Sequence, residues 1–346
     1  MIPLNKRNWK FNNLTKMALL FGISGFLMLY FLFLSGNTKQ RIDAEYVLRT
    51  ELPITVLADK LLEAGIIKNK LSLLLAAKIF NQHSAVKPGK YQIKPGMSNI
   101  QLLKLFRRQG RQEVVLVIRS SWSKHKLLSY LAANLNLNEN ELQLFLEDSA
   151  RLAEYGLTPE TATVFFVPNN YNFYWNTSQA DLMKRMQKEY SIFWNNKRIQ
   201  KAQALGLSPF QVMTLASIVE KETAKNDEMA TIAGVYVNRL KKNMKLQADP
   251  TVKFAIGNET LKRIKGVHLD FPSPYNTYLN EGLPPGPICL PSIQAIDAVL
   301  NKQDHKYLYF CAKEDLSGYH NFTADYKQHL RNRDKYVFAI NKLGIQ

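Results

Sequence analysis

The sequence predicts an α+β chain: a single N-terminal transmembrane helix, a small α/β subdomain and a larger mixed α/β domain. Three observations predict it. Met17 to Leu34, "MALLFGISGFLMLYFLFL", runs 18 residues without a charge. Short alternating runs such as "GKYQI" interrupt Leu-rich helical patterns. The chain has 346 residues and no strict internal repeat, enough for two modest domains. The expected division is a basic tail over 1–16, an anchor over 17–35, a small subdomain over 42–118 and the large domain over 119–346.

As a helix, the apolar run would be about 27 Å long, close to the ~30 Å hydrocarbon core of a bilayer. Lys6, Arg7, Lys10 and Lys16 precede it, with no acid before them. That asymmetry holds the N-terminus in the cytoplasm and exports everything after Gly36. A cleaved signal peptide is the competing reading. The run is long for one, and no A-x-A site follows. An uncleaved inner-membrane anchor is preferred, and a buried core helix is the third alternative.

In the small subdomain, "AEYVLRT" reads as a strand, and "ITVLADKLLEAGII" and "KLSLLLAAKIF" as helices. "KPGKYQIKPGM" alternates as a half-buried strand does. "NIQLLKLFRRQG" is a helix closed by Gly110, and "EVVLVI" a strand. Helices follow over 124–135 and 139–147. The aromatic segment "ATVFFVPNNYNFYWNTS" is either a core strand entering a turn or a wall on which sugar rings stack. Ser208-Pro209-Phe210-Gln211 starts a helix, with Ser as N-cap and Gln as its capping-box partner. A further helix runs over 227–242. Asp249-Pro250 reads as extended or turn, and "SPYNTYLNEGLPPGPICLPS" as a long loop. The end of the chain reads as a strand, a turn at Gly318, a second strand and a helix.

Composition narrows the function. Lys and Arg outnumber acids 46 to 28, a net charge of +18. The excess suits an anionic partner or a merely solvated basic surface. With the bulk of the chain exported, nucleic acid is excluded, and an anionic envelope polymer or lipid surface fits better. Cys289 and Cys311 are the only cysteines, with no C-x-x-C. A zinc site is therefore not expected, and the two could pair or stay as thiols. No G-x-S-x-G and no H-E-x-x-H occurs, so nucleophile-based hydrolysis and zincin chemistry are unsupported. No cofactor or metal is called for.

In "ASIVEKETAK", residues 216–225, two glutamates lie two positions apart. At about 100° per residue, Leu215, Ile218 and Val219 fall within about 60° of Glu222, whereas Glu220 lies about 160° away. Glu222 extends the apolar stripe. Glu220 reads as a solvated charge. The bland reading of Glu222 is a helix-end carboxylate that reaches past the stripe into water or a salt bridge, for which Lys225 is close enough. The sharper reading is a shielded carboxyl with a raised pKa. An ordinary Glu is protonated roughly once in 500 at pH 7, and a pKa near 6.5 raises that to about a quarter. Such an acid can protonate a glycosidic oxygen.

"LASIVEKET", "IAGVYVNRLKKNMKLQADPTVKFAIG", "SPYNTYLNEGLPPGPICLPS" and "YLYFCAKEDLSGYHNFTADYKQH" occur in that order. Together they resemble the endolytic murein transglycosylase family, the MltG/YceG-like proteins. The resemblance is strongest from Val164 to Leu330. It implies a LysM-like identity for residues 42–118 and a catalytic domain over 119–346. It implies cleavage of peptidoglycan glycan strands, with Glu222 as general acid and then base. It also implies a cleft wall of Asn238, Gln247, Asp249, Tyr275, Asn276, Tyr278 and Tyr171. The implied partners are the cell-wall synthases, the penicillin-binding proteins. Many relatives have "PDTY" where this chain reads Pro168-Asn169-Asn170-Tyr171, so any contact made there must differ. A non-catalytic murein-binding scaffold would share the anchor, the charge and the aromatic loops.

Overall fold

The structure, a computed structural model, describes residues 13–342 apart from 40–42, 83–84, 108–112, 259–260, 262–263 and 265. Most of the expected basic tail and the helix-closing Gly110 lie outside the described residues. The chain forms two compact units, Met1–Glu113 with Tyr174–Asn176, and Val114–Phe173 with Thr177–Gln346.

The first unit begins with α1 (Asn13–Leu29), which runs into a π-helical turn at Tyr30–Leu34. Lys16–Leu34 is the one continuous helix among the described residues that is long and apolar enough to cross a membrane. Leu20, Phe21 and Phe26 are each well exposed along it. Then come β1 (Ala44–Leu48), α2 (Ile54–Glu63), α3 (Lys70–Ile79), β2 (Gly89–Ile93) and α4 (Asn99–Arg107). β1 and β2 pair antiparallel with Tyr46 opposite Tyr91. Their inner face and the helices bury Leu57, Leu61, Leu73, Tyr91, Ile93 and Leu102. Asn69 caps α3 by accepting from Ser72 N, which satisfies one of the amides a helix start leaves over.

The second unit contains β3 (Glu113–Ile118), α5 (Lys124–Asn134), α6 (Glu139–Phe145), α7 (Ser149–Ala153) and β4 (Asn169–Tyr174), with β3 and β4 paired. Next are α8 (Gln179–Phe193), α9 (Asn196–Ala204), α10 (Pro209–Glu222), α11 (Met229–Lys241) and α12 (Asp249–Ile256). The short α13 (Gly266–Leu269), α14 (Ile293–Leu300), the β5 (Tyr309–Ala312)/β6 (His320–Thr323) hairpin and α15 (Tyr326–Lys342) complete it. The hairpin places Phe310 opposite Phe322. Gly318 turns between the strands at φ +79°, which glycine tolerates without strain.

α10 is the centre of this unit. Every residue from Val212 to Val219 is buried, so the helix has no solvent face over those turns. α11, α12 and α14 all pack on it.

One expectation is corrected. Asp249-Pro250 starts α12 rather than an extended segment. Proline's fixed φ suits the first helical turn, where its missing N–H would have had no partner anyway. Of the two readings left open for the aromatic segment, the core strand fits: Phe165, Phe166, Tyr171, Phe173 and Trp175 are buried, with Tyr174 exposed.

Candidate active site

α10 is fixed at its start by a capping box: Ser208 accepts from Gln211 N, and the Gln211 side chain accepts from Ser208 N. It ends at Glu222, because Thr223 turns extended at φ −143° and ψ 143°. The last helical residue is thus partly exposed on the wall of a cavity of about 510 Å³. Ser121, Glu220, Lys221, Thr223, Asn226 and Met229 line the same cavity.

From the neighbouring helix α11, Tyr236 donates its hydroxyl to Glu222 Oε1 at 2.5 Å. Tyr236 is almost fully buried and stacks edge-on against Phe310. The other carboxyl oxygen, Oε2, accepts no hydrogen bond from a described residue. Burial pushes the Glu222 carboxyl up to about 7. The Tyr236 hydroxyl opposes that shift, the Asp249 charge adds to it, and Lys253 and Arg239 weaken it. Desolvation dominates because an isolated charge in dense surroundings loses more hydration than one hydrogen bond returns. At pH 7 about half of the molecules would carry the proton.

The shift has a stability consequence. The folded state holds the Glu222 proton more tightly than the unfolded chain, so ionisation is resisted by folding. Stability is greatest below the ordinary glutamate range and falls as pH rises towards about 7. Glu222→Gln removes this effect. With partial exposure discounted, the variant is expected to be about 1–2 kcal/mol more stable than the parent at pH 8 and little changed at pH 4. Denaturant melts at the two pH values check it.

α11 is held by the segment that follows α14. Asn238 Nδ2 donates to His305 O at 2.8 Å and to Tyr307 O at 3.1 Å. Arg239 donates to Leu308 O and Leu246 O, both at 2.6 Å. At the other end of the helix, His320 N and Nδ1 meet the two carboxyl oxygens of Glu228, each at 2.9 Å. A Cβ on Gly234 would stand 2.6 Å from His305 Nε2 and 2.7 Å from Gln303 O. Only glycine lets this segment lie so close. Gly234→Ala is expected to cost about 1–3 kcal/mol and lower the melting temperature, because both neighbours are themselves hydrogen-bonded.

The other expected wall residues fall into two groups. Asp249 is exposed at the start of α12, and its Oδ1 accepts from the Tyr278 hydroxyl at 2.6 Å. Both groups act on Glu222 or Tyr236 through their charge or polarity. Gln247 is exposed and strained, with φ +50°, and its N–H donates to Thr277 O. Tyr275 lies against Phe254, ring centres 4.7 Å apart, beside a cavity of about 230 Å³ that Trp122, Lys124 and Glu160 also line. A smaller cavity between these two is lined by Lys221, Lys253, Phe254 and Ile288; it shares Lys221 with the first and Phe254 and Ile288 with the second.

Two expected contacts are corrected. Tyr171 is 5% exposed and donates to Val167 O, so it packs rather than stacks on a ligand. Asn276 is fully buried; its amide nitrogen donates to Leu269 O and Phe271 O, and its Oδ1 accepts from Tyr278 N. It shapes the loop that carries Tyr278. Asn238 is likewise occupied, at its amide nitrogen, by the 305–307 segment.

Glu220 is not the solvated charge that the angular count implied. Its carboxyl accepts from Ser121 Oγ at 2.9 Å and from Ser292 N and Oγ at 3.2 and 2.5 Å. The face opposite the stripe is covered by α14, whose N-cap is Ser292. Glu220→Ala should therefore destabilise the unit by about 0.5–2 kcal/mol, since it removes the acceptor of three part-buried hydrogen bonds; a drop in melting temperature checks it. Lys225 does not pair with Glu222 either. The helix stops before it, and its ammonium lies over the Tyr319 ring, 4.7 Å from the centroid. Sequence reasoning missed Tyr236, which lies within the helix read over 227–242 and was not singled out. The available signal was the hydroxyl: a buried tyrosine needs an acceptor.

This α+β unit thus shields one carboxyl at a helix end, beside a tyrosine and on a cavity wall. The chain belongs to the YceG-like family, whose family model matches residues 48–335. It is 36% identical over 167 residues to the endolytic murein transglycosylase of Bacillus subtilis (strain 168), a match covering 48% of this chain and 45% of the relative. The endolytic murein transglycosylase of Streptococcus pneumoniae (strain R6) is 27% identical over 311 residues, 80% of this chain and 55% of the relative. The chain thus spans about half the length of these curated relatives. A 2.6 Å crystal structure of a yceG-like protein from Listeria monocytogenes is similar at TM-score 0.56 and 26% identity, covering 84% of this chain and 99% of that one.

Proposed function

We propose that this chain is a lytic transglycosylase that cleaves the bond between N-acetylmuramic acid and N-acetylglucosamine inside peptidoglycan strands, leaving 1,6-anhydro ends. The observation that carries the reading is the Glu222 carboxyl, raised to about 7 with one oxygen held by Tyr236. Membership of the YceG-like family and the names of the relatives support the substrate class.

Protonated Glu222 gives its proton to the oxygen leaving C1 of the muramoyl residue, and the C1–O bond breaks. Positive charge develops on the ring. The carboxylate left behind then takes the proton of the muramoyl 6-hydroxyl as O6 bonds to C1. Glu222 ends protonated, and no water is consumed. One carboxyl is therefore enough, whereas a hydrolase needs a second to activate water. Because the nucleophile belongs to the substrate, much of the entropic cost of the attack is avoided. Asp249, fixed by Tyr278, serves here as a field that keeps Glu222 protonated and favours the developing cation. Gln247, held in a conformation that costs about 1–3 kcal/mol, is proposed with Asp249, Tyr275, Tyr278 and Asn238 as the wall that binds the strand.

The apolar helix serves as an uncleaved inner-membrane anchor, with the N-terminus cytoplasmic and everything after the helix outside. Residues 42–118 take the LysM-like role. Cleavage within strands would end nascent chains beside the synthases that make them. The test is mass analysis of sacculi digested by the full chain. Anhydro-muramoyl ends that disappear with Glu222→Gln support the proposal. Reducing ends would mean hydrolysis, and sacculus binding without turnover would mean a scaffold; either overturns it.

A further inference from the structure

We propose that α3 lies in the membrane–water interface, its outer face among lipid acyl chains, so that the first unit is docked on the bilayer and not merely tethered to it. The inference rests on reading Lys16–Leu34 as a membrane anchor.

The outer face of α3 carries Leu71, Leu75 and Ile79, which are 75%, 41% and 56% exposed, and Phe80 follows at 45%. Residues four apart share one side of a helix, so these side chains form a continuous apolar stripe. The opposite face is spent on the core through Leu73, Ala76 and Ala77. α3 has no acid; Lys78 shares the exposed side, and Lys70 stands at the start. An apolar stripe edged by lysines matches the layering of acyl chains beneath anionic headgroups.

The end of the anchor meets this same helix. The Phe33 ring packs edge-on against Phe80, centres 5.4 Å apart. Leu32 O accepts from Asn99 Nδ2 at 2.7 Å. The π-helical turn packs on both α3 and α4. The residues that follow, 37–39, are hydrogen-bonded into the fold. Asn37 N and Thr38 N both donate to Met97 O, at 2.7 and 3.1 Å, and Lys39 N to Ile66 O at 3.1 Å. At Gly36 the backbone passes so close to Gly96 O that a Cβ would stand 2.6 Å from it. Only Ser35 separates the apolar span from a residue fixed in the fold. A span seated in the bilayer therefore brings the unit against its surface, and the stripe touches the anchor's end directly through the Phe33–Phe80 contact.

The test uses the full chain in nanodiscs of phosphatidylethanolamine and phosphatidylglycerol, with Cys289 and Cys311 replaced by serine. A bimane label is placed at Leu75→Cys, at Leu71→Cys as a second site, and at Phe26→Cys within the span. Nitroxide on shallow acyl carbons should remove about half of the emission at 75 and 71, the depth expected of an interfacial helix. Deep nitroxide should do the same at 26. Quenching at 26 alone, with 75 and 71 open to aqueous iodide, overturns the inference and leaves the anchor standing. No lipid quenching at any of the three overturns both. Shielding of 75 and 71 from lipid and iodide alike means that protein covers the stripe, which also overturns it.

Discussion

Replacing Glu222 with Gln is expected to lower turnover of peptidoglycan about 10²–10⁴-fold, the contribution typical of a positioned general acid. Glutamine keeps the length of the side chain and can still accept from Tyr236 through its carbonyl oxygen. What it lacks is the proton. Binding to sacculi should therefore be nearly unchanged, and the loss should appear in kcat. In the parent, activity should fall on the alkaline side with an apparent pKa near the 7 set by burial of the carboxyl, because only the protonated form would start the proposed reaction. The mirror change, Glu220→Gln, should leave that pH limb where it is, since Glu220 is tied to Ser121 and Ser292.

The second large effect is expected from Tyr236→Phe. The hydroxyl donates to Glu222 Oε1 and lowers the pKa that burial raises. Hydrogen bonds to charged groups are worth about 1.5–3 kcal/mol, so its removal should move the alkaline limb up by about one pH unit or more. The carboxyl would also lose the contact that orients it. The maximum rate should then drop roughly tenfold or more even where the acid is fully protonated. A purely structural role would lower stability without moving the limb. The pH profile of kcat/KM, with circular dichroism melts beside it, separates the two.

Much of the frame was legible because local signals agree with the fold. The charge-free run, the capping box at Ser208 and the turn at Gly318 each reflect chemistry contained within a few residues. The position of Glu222 was legible for a similar reason: it ends the stripe formed by Leu215, Ile218 and Val219. Glu220 was misread because the angular count assumes one buried face, and α10 is enclosed on all sides from Val212 to Val219. Tyr236 was missed because its partner is fourteen residues away on another helix, so no periodicity links them. Asn276 has the composition of a ligand contact, and only the folded loop shows that its amide is consumed by Leu269 and Phe271. Pro250 was read by the restriction it places on its neighbour, when its fit to a first helical turn prevailed.

The most direct measurement is the titration of the Glu222 carboxyl itself, followed as the infrared carboxylic-acid band that is present in the parent and absent in Glu222→Gln. A midpoint near 7 is the predicted result. A midpoint in the ordinary glutamate range, about 4–5, would contradict the account, because at neutral pH almost no molecule would then hold the proton that breaks the bond.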